Sequence, residues 1–480
     1  MNKFRKIADR YIFNRIVFKI FMIISVMVTA VPYLHNTLGS YVKFFLLYGF
    51  VILGYEIITK KFWGALKIRT NLFLMGFCIS YALTLIINHD SNFFSGVKSL
   101  SYVVVFFALF YMFPIEKDKE SIIKEMQIIA AVVVVCTFIL SLISFSTYVF
   151  SISGHYFNEK GVYVYYGMFE NRLWGLYNPN TGSTLNCISI LLSVAFILSA
   201  KKKRNIVLNS INIFIQFSCL ILTSSRASYN ILIILLVVLA VFTAVKKVRT
   251  FNVKTCALVG LCVAVMIGAY FVIGSTLKEG LSYVPSIVRV TTHSMTANKN
   301  DAEEPPVIEQ EDLTRLEETE NREGGLFNGR LEIWQACLKA FKEAPIFGVG
   351  KENLVDRSID YFKSETWKEH FKNGGAHNIY ICILASAGVI GFLLLGAFAV
   401  ITLGKTFLVI IKKYKNVRYW YFISFILCIM FYVNEFVEAR ILFQVSTFSV
   451  IFWIFLGYMY SLTKVEEKNR EESDDGKLVI

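Results

Sequence analysis

Arg226, in the stretch LTSSRASYN, stands between two apolar runs with almost no loop to hold it. A guanidinium there has two readings. It can snorkel to a polar surface along its aliphatic stem, or its planar fork can hold a phosphate by two-point contact. Arg330 opens NGRLEIWQACLKAFKEAP. A cation in a first helical turn is mildly disfavoured by the helix dipole, and an anion bound at that helix start reverses the sign. Arg172 and Trp174 lie in NRLWGLYNPN, whose aromatic rings either stack on sugar faces or belong to an interfacial belt. His377 follows Gly374, Gly375 and Ala376 and opens a long, nearly uncharged run. It either caps a helix at an interface or serves as a general base or hydrogen-bonding group. Asn378 beside it orients a substrate or caps the helix. Glu435 and Glu438, in YVNEFVEARI, are three apart and share a helix face. They form an acidic site, a partner for Arg440, or a solvated turn.

The elements that must position these groups are membrane helices. The chain of 480 residues is 55% hydrophobic and only 18% charged. Apolar runs long enough to cross a bilayer core recur along its whole length. Alternating short segments, the mark of a membrane barrel, are absent from the pattern. The expectation is an all-α polytopic membrane protein of about twelve spans. They fall near 16–34, 41–58, 70–88, 97–114, 122–151, 181–200, 205–224, 227–245, 255–277, 377–404, 419–434 and 441–462. The net charge of +14 raises the question of nucleic acid. The basic residues sit instead in short clusters between apolar runs, as topology requires. Lys60, Lys61, Lys67 and Arg69, then Lys201 to Arg204, then Lys246, Lys247 and Arg249, then Lys412 to Arg418 fall on one side with the N-terminal Lys3, Arg5 and Lys6. That side is the cytoplasm, so both termini are expected there, in the plasma membrane. The basic start feeds an apolar run without a small-residue cleavage site, which reads as an uncleaved first span.

The chain then divides into helices one to nine (1–277), a long outer loop (278–376), helices ten to twelve (377–462) and a short charged tail (463–480), expected to be disordered. A first outer loop, 152–180, is aromatic and lightly charged. In the second loop the acidic piece 298–325 reads as a linker, and 329–344 as an amphipathic helix at the outer surface. Asn328 is its expected N-cap, Pro345 its stop, and Leu331, Trp334, Leu338 and Phe341 its apolar stripe. Most of the nine Cys lie inside apolar runs, Cys337 being the exception, so no disulfide framework is expected. No HExxH, paired CxxC, Walker loop or GxSxG elbow is found, and no cofactor or metal is expected. The spans lack the acidic relay of an ion-coupled pump.

Four pieces line up in order: RLWGLYNPNTGS, TSSRASY, NGRLEIWQACLKAFKEAPIFGVG and AHNIYICILASAGVIGF. Together they resemble the O-antigen ligase and polymerase family of bacterial envelope biosynthesis. The residues that carry the resemblance are Arg330, Trp334, Pro345, Gly348, Gly350, His377, Asn378, Gly388 and Gly391. It covers about 172 to 392. Elsewhere it rests on span number and topology, and the acidic insertion has no counterpart in the family pattern. The resemblance implies a metal-independent glycosyltransferase fold embedded in the membrane. Its substrate would be an undecaprenyl-diphosphate-linked oligosaccharide, used at the outer face, with a flippase and a chain-length regulator of the same pathway as further partners. It implies catalytic roles for His377, Arg226 and Arg330. Substrate contacts would fall to Arg172, Trp174, Trp334, Gly348, Gly350 and Asn378. The expected reaction is polymerisation of repeat units. A ligase passing polymer to a lipid or protein acceptor shares the motifs, and a lipid-linked sugar flippase shares the span number.

Overall fold

The computed structural model describes residues 12–89, 92–112, 117–157, 163–248, 252–296, 307–313 and 330–475. Helices dominate. The first are α1 (Arg15–Thr29), α2 (Pro32–Ile58), α3 (Lys61–Leu66), α4 (Arg69–Ile87), α5 (Phe93–Val105) with a π-helical end at Phe106–Tyr111, and α6 (Lys119–Val149). Three strands follow, β1 (Gly154–Phe157), β2 (Tyr163–Phe169) and β3 (Arg172–Gly175). Next come α7 (Pro179–Leu198), α8 (Lys203–Leu222), α9 (Arg226–Lys247), α10 (Val253–Ser282) and α11 (Val284–Thr296). The last are α12 (Arg330–Glu343), α13 (Leu354–Ser358), α14 (Glu365–Gly374), α15 (Ile379–Lys412), α16 (Tyr419–Asn434) and α17 (Thr447–Asp475).

Among the described residues ten helices are long and apolar enough to span a bilayer, and α16 is a shorter apolar helix. The chain is therefore an all-α polytopic membrane protein. Several expected boundaries move. The run near 255–277 does not end in a loop: α10 reaches Ser282 and α11 carries on to Thr296. The last helix starts at Thr447 and continues to Asp475, through most of the segment expected to be a disordered tail. The aromatic stretch 152–180 folds into an antiparallel sheet of order β1-β2-β3. Its tyrosines and phenylalanines suit a pleated, half-buried surface. Glu170 and Asn171 both take positive φ, 51° and 55°, which turns β2 into β3 in two residues.

The chain forms two compact units, one of residues 1–28, 38–129 and 318–480, the other of 29–37 and 130–317. In the first, α17 is the central helix: 83% of its apolar window is buried. A break in α15 marks this unit. Gly388 has φ 67° and ψ −173° inside an otherwise continuous helix. The turn after α12 fills the break. Val349 N donates to Ala385 O at 2.9 Å, Gly350 N to Ser386 O at 3.0 Å, and Val389 N to Pro345 O at 2.9 Å. Interrupted backbone at membrane depth persists only where such partners exist. Side chains of α4 complete the clamp: Thr84 Oγ1 donates to Phe347 O at 2.5 Å and Asn88 Nδ2 to Gly348 O at 3.0 Å. Gly388, one of the residues that carry the family resemblance, makes this break. Gly391 does pack closely, since a Cβ there would meet the Phe77 ring at 3.2 Å.

In the second unit a polar seam joins α6, α7 and α8. Thr137 Oγ1 donates to Ser189 Oγ at 2.8 Å, Asn212 Nδ2 to Ser193 Oγ at 2.8 Å, and Gln216 Nε2 to Asn212 Oδ1 at 3.1 Å. Lipid gives no hydrophobic drive for helices to associate, so such bonds and close packing hold them together. Part of the acidic stretch read as a linker is docked. Leu313 is buried with Tyr148, Leu173, Cys219, Leu222 and Leu281, and Glu311 N donates to Ser282 O at 2.9 Å. The rest of 298–325 lies outside the described residues.

Candidate active site

Asn378 has the β-region backbone of an N-cap, and its Oδ1 accepts from Tyr380 N at 3.0 Å and Ile381 N at 3.1 Å. Of its two readings, the helix cap is therefore the one the structure displays. That cap starts α15 and fixes the preceding residue. His377 is held at φ 46°, a conformation non-glycine residues seldom adopt. Such strain persists where the surroundings over-determine it, and here they do. Ile379 N, two residues on, donates to Glu435 O at 3.0 Å. Trp334, on α12, donates its indole Nε1–H to Ala376 O at 3.1 Å. Gly375 closes α14 with φ 75°. A Cβ on Gly374 would sit 2.5 Å from His377 Nε2, so the imidazole lies against a bare Cα.

The His377 ring is partly exposed, and its Nδ1 lies 3.8 Å from Glu438 Oε2. Arg440 Nε approaches the same carboxylate at 3.8 Å. The Arg440 guanidinium stands 4.0 Å above the Phe448 ring, a cation–π contact. Burial pushes the Glu438 carboxyl up, but the charges of Arg440, His377 and Arg330 outweigh it and hold the group below its ordinary value. Glu435 behaves in the opposite way. It is fully buried, and burial raises it to about 7 against the pull of Arg440. One of its oxygens accepts from Arg440 N at 2.7 Å, and the other has no partner. Two carboxyls three residues apart are thus driven in different directions by environment, a pattern that marks acid–base sites.

This cluster unites His377 with Arg330 and adds Glu435, Glu438 and Arg440. The sequence offered the two glutamates as an acidic site, a partner for Arg440 or a solvated turn, and not as site residues. The available signal was a pair of acids and a base at a helix end on the face where charges are scarce. The face of α12 also differs from the expected stripe. Ile333, Ala336, Cys337 and Ala340 are buried, while Leu331 and Leu338 are exposed. Small residues let α12 lie close to its support, and the leucines face outward. Asn328, its expected cap, lies outside the described residues. Gly348 and Gly350 belong to the turn that fills the break in α15. A Cβ on Gly348 would meet Ser386 backbone at 2.4 Å. Just beyond Asn378, an apolar cavity of about 340 Å³ opens, lined by Ile379, Tyr380, Phe392, Tyr432, Phe452 and Trp453 among others.

The other expected residues lie in the second unit. Arg226 is the first residue of α9, is exposed, and has no hydrogen bond or ion pair among the described residues. Arg172 braces the turn that presents it. Its Nε donates to Thr223 O at 3.0 Å and its Nη2 to Asn180 Oδ1 at 3.2 Å. Ser224, in that turn, has φ 51°. Trp174 packs edge-on to Tyr165 at 5.3 Å, and Tyr165 stacks on Phe169 at 3.6 Å, giving an aromatic sheet face. Among the described residues no three of His, Cys, Asp and Glu converge as metal ligands do.

The helices define a multi-pass membrane protein with a charged cluster at the start of one broken helix. Residues 211–396 match the family model described as O-Antigen ligase, which supports the resemblance read from the sequence. The match contains Arg226, Arg330, Trp334, Gly348, Gly350, His377 and Asn378. It ends before Glu435 and begins after Arg172 and Trp174. No curated protein matches the chain.

Proposed function

We propose that the chain polymerises oligosaccharide repeat units carried on a lipid diphosphate, at the outer face of the plasma membrane. The observation that carries this reading is the His377–Glu438 pair, with the charges of Arg330 and Arg440 acting on Glu438, close in sequence to Ile379, Tyr380 and Ile441 of an apolar cavity's lining. A sugar hydroxyl is too weak an acid to ionise at neutral pH. His377 takes its proton as the oxygen attacks the anomeric carbon of the donor sugar. The bond from that carbon to the diphosphate oxygen breaks, and the lipid diphosphate leaves with the electron pair. The proton passes from the imidazolium to solvent. Glu438, held as the anion, orients the ring and balances the imidazolium. The developing charge on the diphosphate falls to Arg330, since fixed cations at the place where charge develops supply the largest electrostatic benefit. Arg226 is proposed as a phosphate-binding group on its own chemistry: an exposed guanidinium at a helix start with no hydrogen bond or ion pair among the described residues. The apolar cavity suits the first units of a hydrocarbon carrier, and the aromatic sheet face suits sugars.

The test is reconstitution of the purified chain with lipid-linked repeat units alone. Chain growth is expected without nucleotide sugar, falling by about 100-fold or more in His377→Ala, the loss typical of a missing general base. Full growth in both His377→Ala and Arg330→Ala would overturn the residue assignment. Transfer to an added lipid or protein acceptor without growth would make the chain a ligase. Passage of the repeat units across the bilayer without growth would make it a flippase.

A further inference from the structure

The stretch 307–313, the described part of the acidic insertion, has no regular structure and lies against the second unit. Its backbone is tied to the α10–α11 junction: Glu311 N donates to Ser282 O at 2.9 Å and Glu309 N to Ser286 Oγ at 2.7 Å. Its side-chain contacts are long and open to solvent. Arg289 Nη2 lies 3.4 Å from Glu311 Oε1, and Tyr283 OH 3.4 Å from Gln310 Oε1. Exposed polar pairs of this kind contribute little. Leu313 differs. It is 6% exposed and shares a buried cluster with Tyr148 of α6, Leu173 of β3, Cys219 and Leu222 of α8, and Leu281 of α10. One apolar side chain thus supplies most of the docking.

Two members of that cluster flank a single hydrogen bond. Leu173 follows Arg172 and Leu222 precedes Thr223, and Arg172 Nε donates to Thr223 O at 3.0 Å. Thr223 opens the turn that ends at Arg226, and Ser224 in that turn holds φ 51°. A backbone in this region keeps its shape only where its surroundings over-determine it. Here the surroundings are the Arg172 bond and the apolar cluster beside it. Leu313 is the cluster member that comes from a segment without regular structure. A segment anchored by one side chain opens at low free energy compared with a packed helix. Without Leu313 the cluster loses a buried leucine and its neighbours relax toward the space. That relaxation moves β3 against the end of α8, where the Arg172–Thr223 bond lies.

We infer that Leu313 is a positioning residue for Arg226: seated in its cluster, it holds the Thr223–Ser225 turn and ties the acidic insertion to the placement of the guanidinium. The functional half of this rests on the role proposed for Arg226, and the mechanical half does not. Backbone hydrogen exchange of the full chain in detergent tests the mechanical half. Its probes are the hydrogen-bonded amides of Thr223, Ser224 and Tyr229, which donate to Cys219 O, Ile221 O and Ser225 O. In Leu313→Ala they are expected to exchange at least about 10-fold faster than in wild type, with α17 and the seam of Thr137 and Ser189 unchanged. Leu313→Met is expected to restore the wild-type rate, and Arg289→Gln to leave it as it is. Growth on lipid-linked repeat units tests the functional half. Leu313→Ala is expected to slow it by about 10-fold or more through misplacement of Arg226, and to add no further loss in an Arg226→Ala background. Unchanged exchange at the three amides, or faster exchange along the whole second unit, overturns the inference. So does an equal loss of growth in both backgrounds. Faster local exchange together with full growth in Arg226→Ala would uphold the brace and remove only the role given to Arg226. Should Leu313→Ala fail to fold, Leu313→Val decides by the same measurements.

Discussion

At the scale of single residues, Glu435 shows how environment outranks type. It shares its turn with Glu438, yet only Glu438 pairs with His377. Glu435 is buried against the start of α15, where its backbone carbonyl receives Ile379 N. Its carboxyl is raised to about 7 by burial. In the unfolded chain it ionises at the ordinary glutamate value, near 4.3. Between these values the folded state binds the extra proton, so stability falls as pH rises through that window and the full cost is present above it. Glu435→Gln removes the ionisation while keeping an oxygen for Arg440 N. The variant is expected to gain Tm over wild type at pH 8 and to lose that gain at pH 5. Melting curves at the two pH values check this; an equal difference at both would mean the carboxyl does not titrate in the window. None of this was legible in YVNEFVEARI, because three-residue spacing gives a shared face and says nothing of which carboxyl is buried. His377, Arg226 and Arg330 were legible, since polar groups stand out against apolar runs.

At the scale of elements, the break in α15 links the two ends of the glycine-rich motifs. ASAGVIGF reads as one uninterrupted span because hydropathy is continuous through Gly388, and the hydrogen bonds that fill the gap come from 345–350, far earlier in the chain. The motifs were visible, but their mutual engagement is a tertiary fact. The sheet was missed for a related reason: its aromatic residues fit an interfacial belt as well as a strand. Gly388→Ala places a side chain at φ 67° and 2.2 Å from Ile346 O. The left-handed backbone alone costs about 1–2 kcal/mol, and the clash adds to it. The helix can escape by closing its break, which expels the turn and slackens α12 and its Trp334 anchor under His377. The variant is therefore expected to lose both Tm and polymer output. A Gly388→Ala protein with unchanged Tm would show that the break is not needed.

At the scale of the whole molecule, charge patterning carries the sidedness of the reaction. Loops with Lys201 to Arg204, with Lys246 and Lys247, and with Lys412 to Arg418 alternate with turns that hold Arg226, His377 and Arg440. The positive-inside tendency supports the proposal that the first group is cytoplasmic and the cluster around His377 faces outside. The lengthened α10–α11 and α17 extend expected spans at their ends, and the proposed parity counts no crossing for either addition. A phosphatase reporter that folds only outside the cytoplasm separates the two faces. Inserted after Lys202 it is expected to be silent, and inserted after Lys372, an exposed position on α14, it is expected to be active. The second insertion lies five residues before His377, so its signal reports the face of the candidate site directly. Activity after Lys202 and silence after Lys372 would turn the molecule over. The His377 cluster would then face nucleotide-activated sugars in the cytoplasm, and a lipid-linked donor presented on the outer leaflet could not reach it.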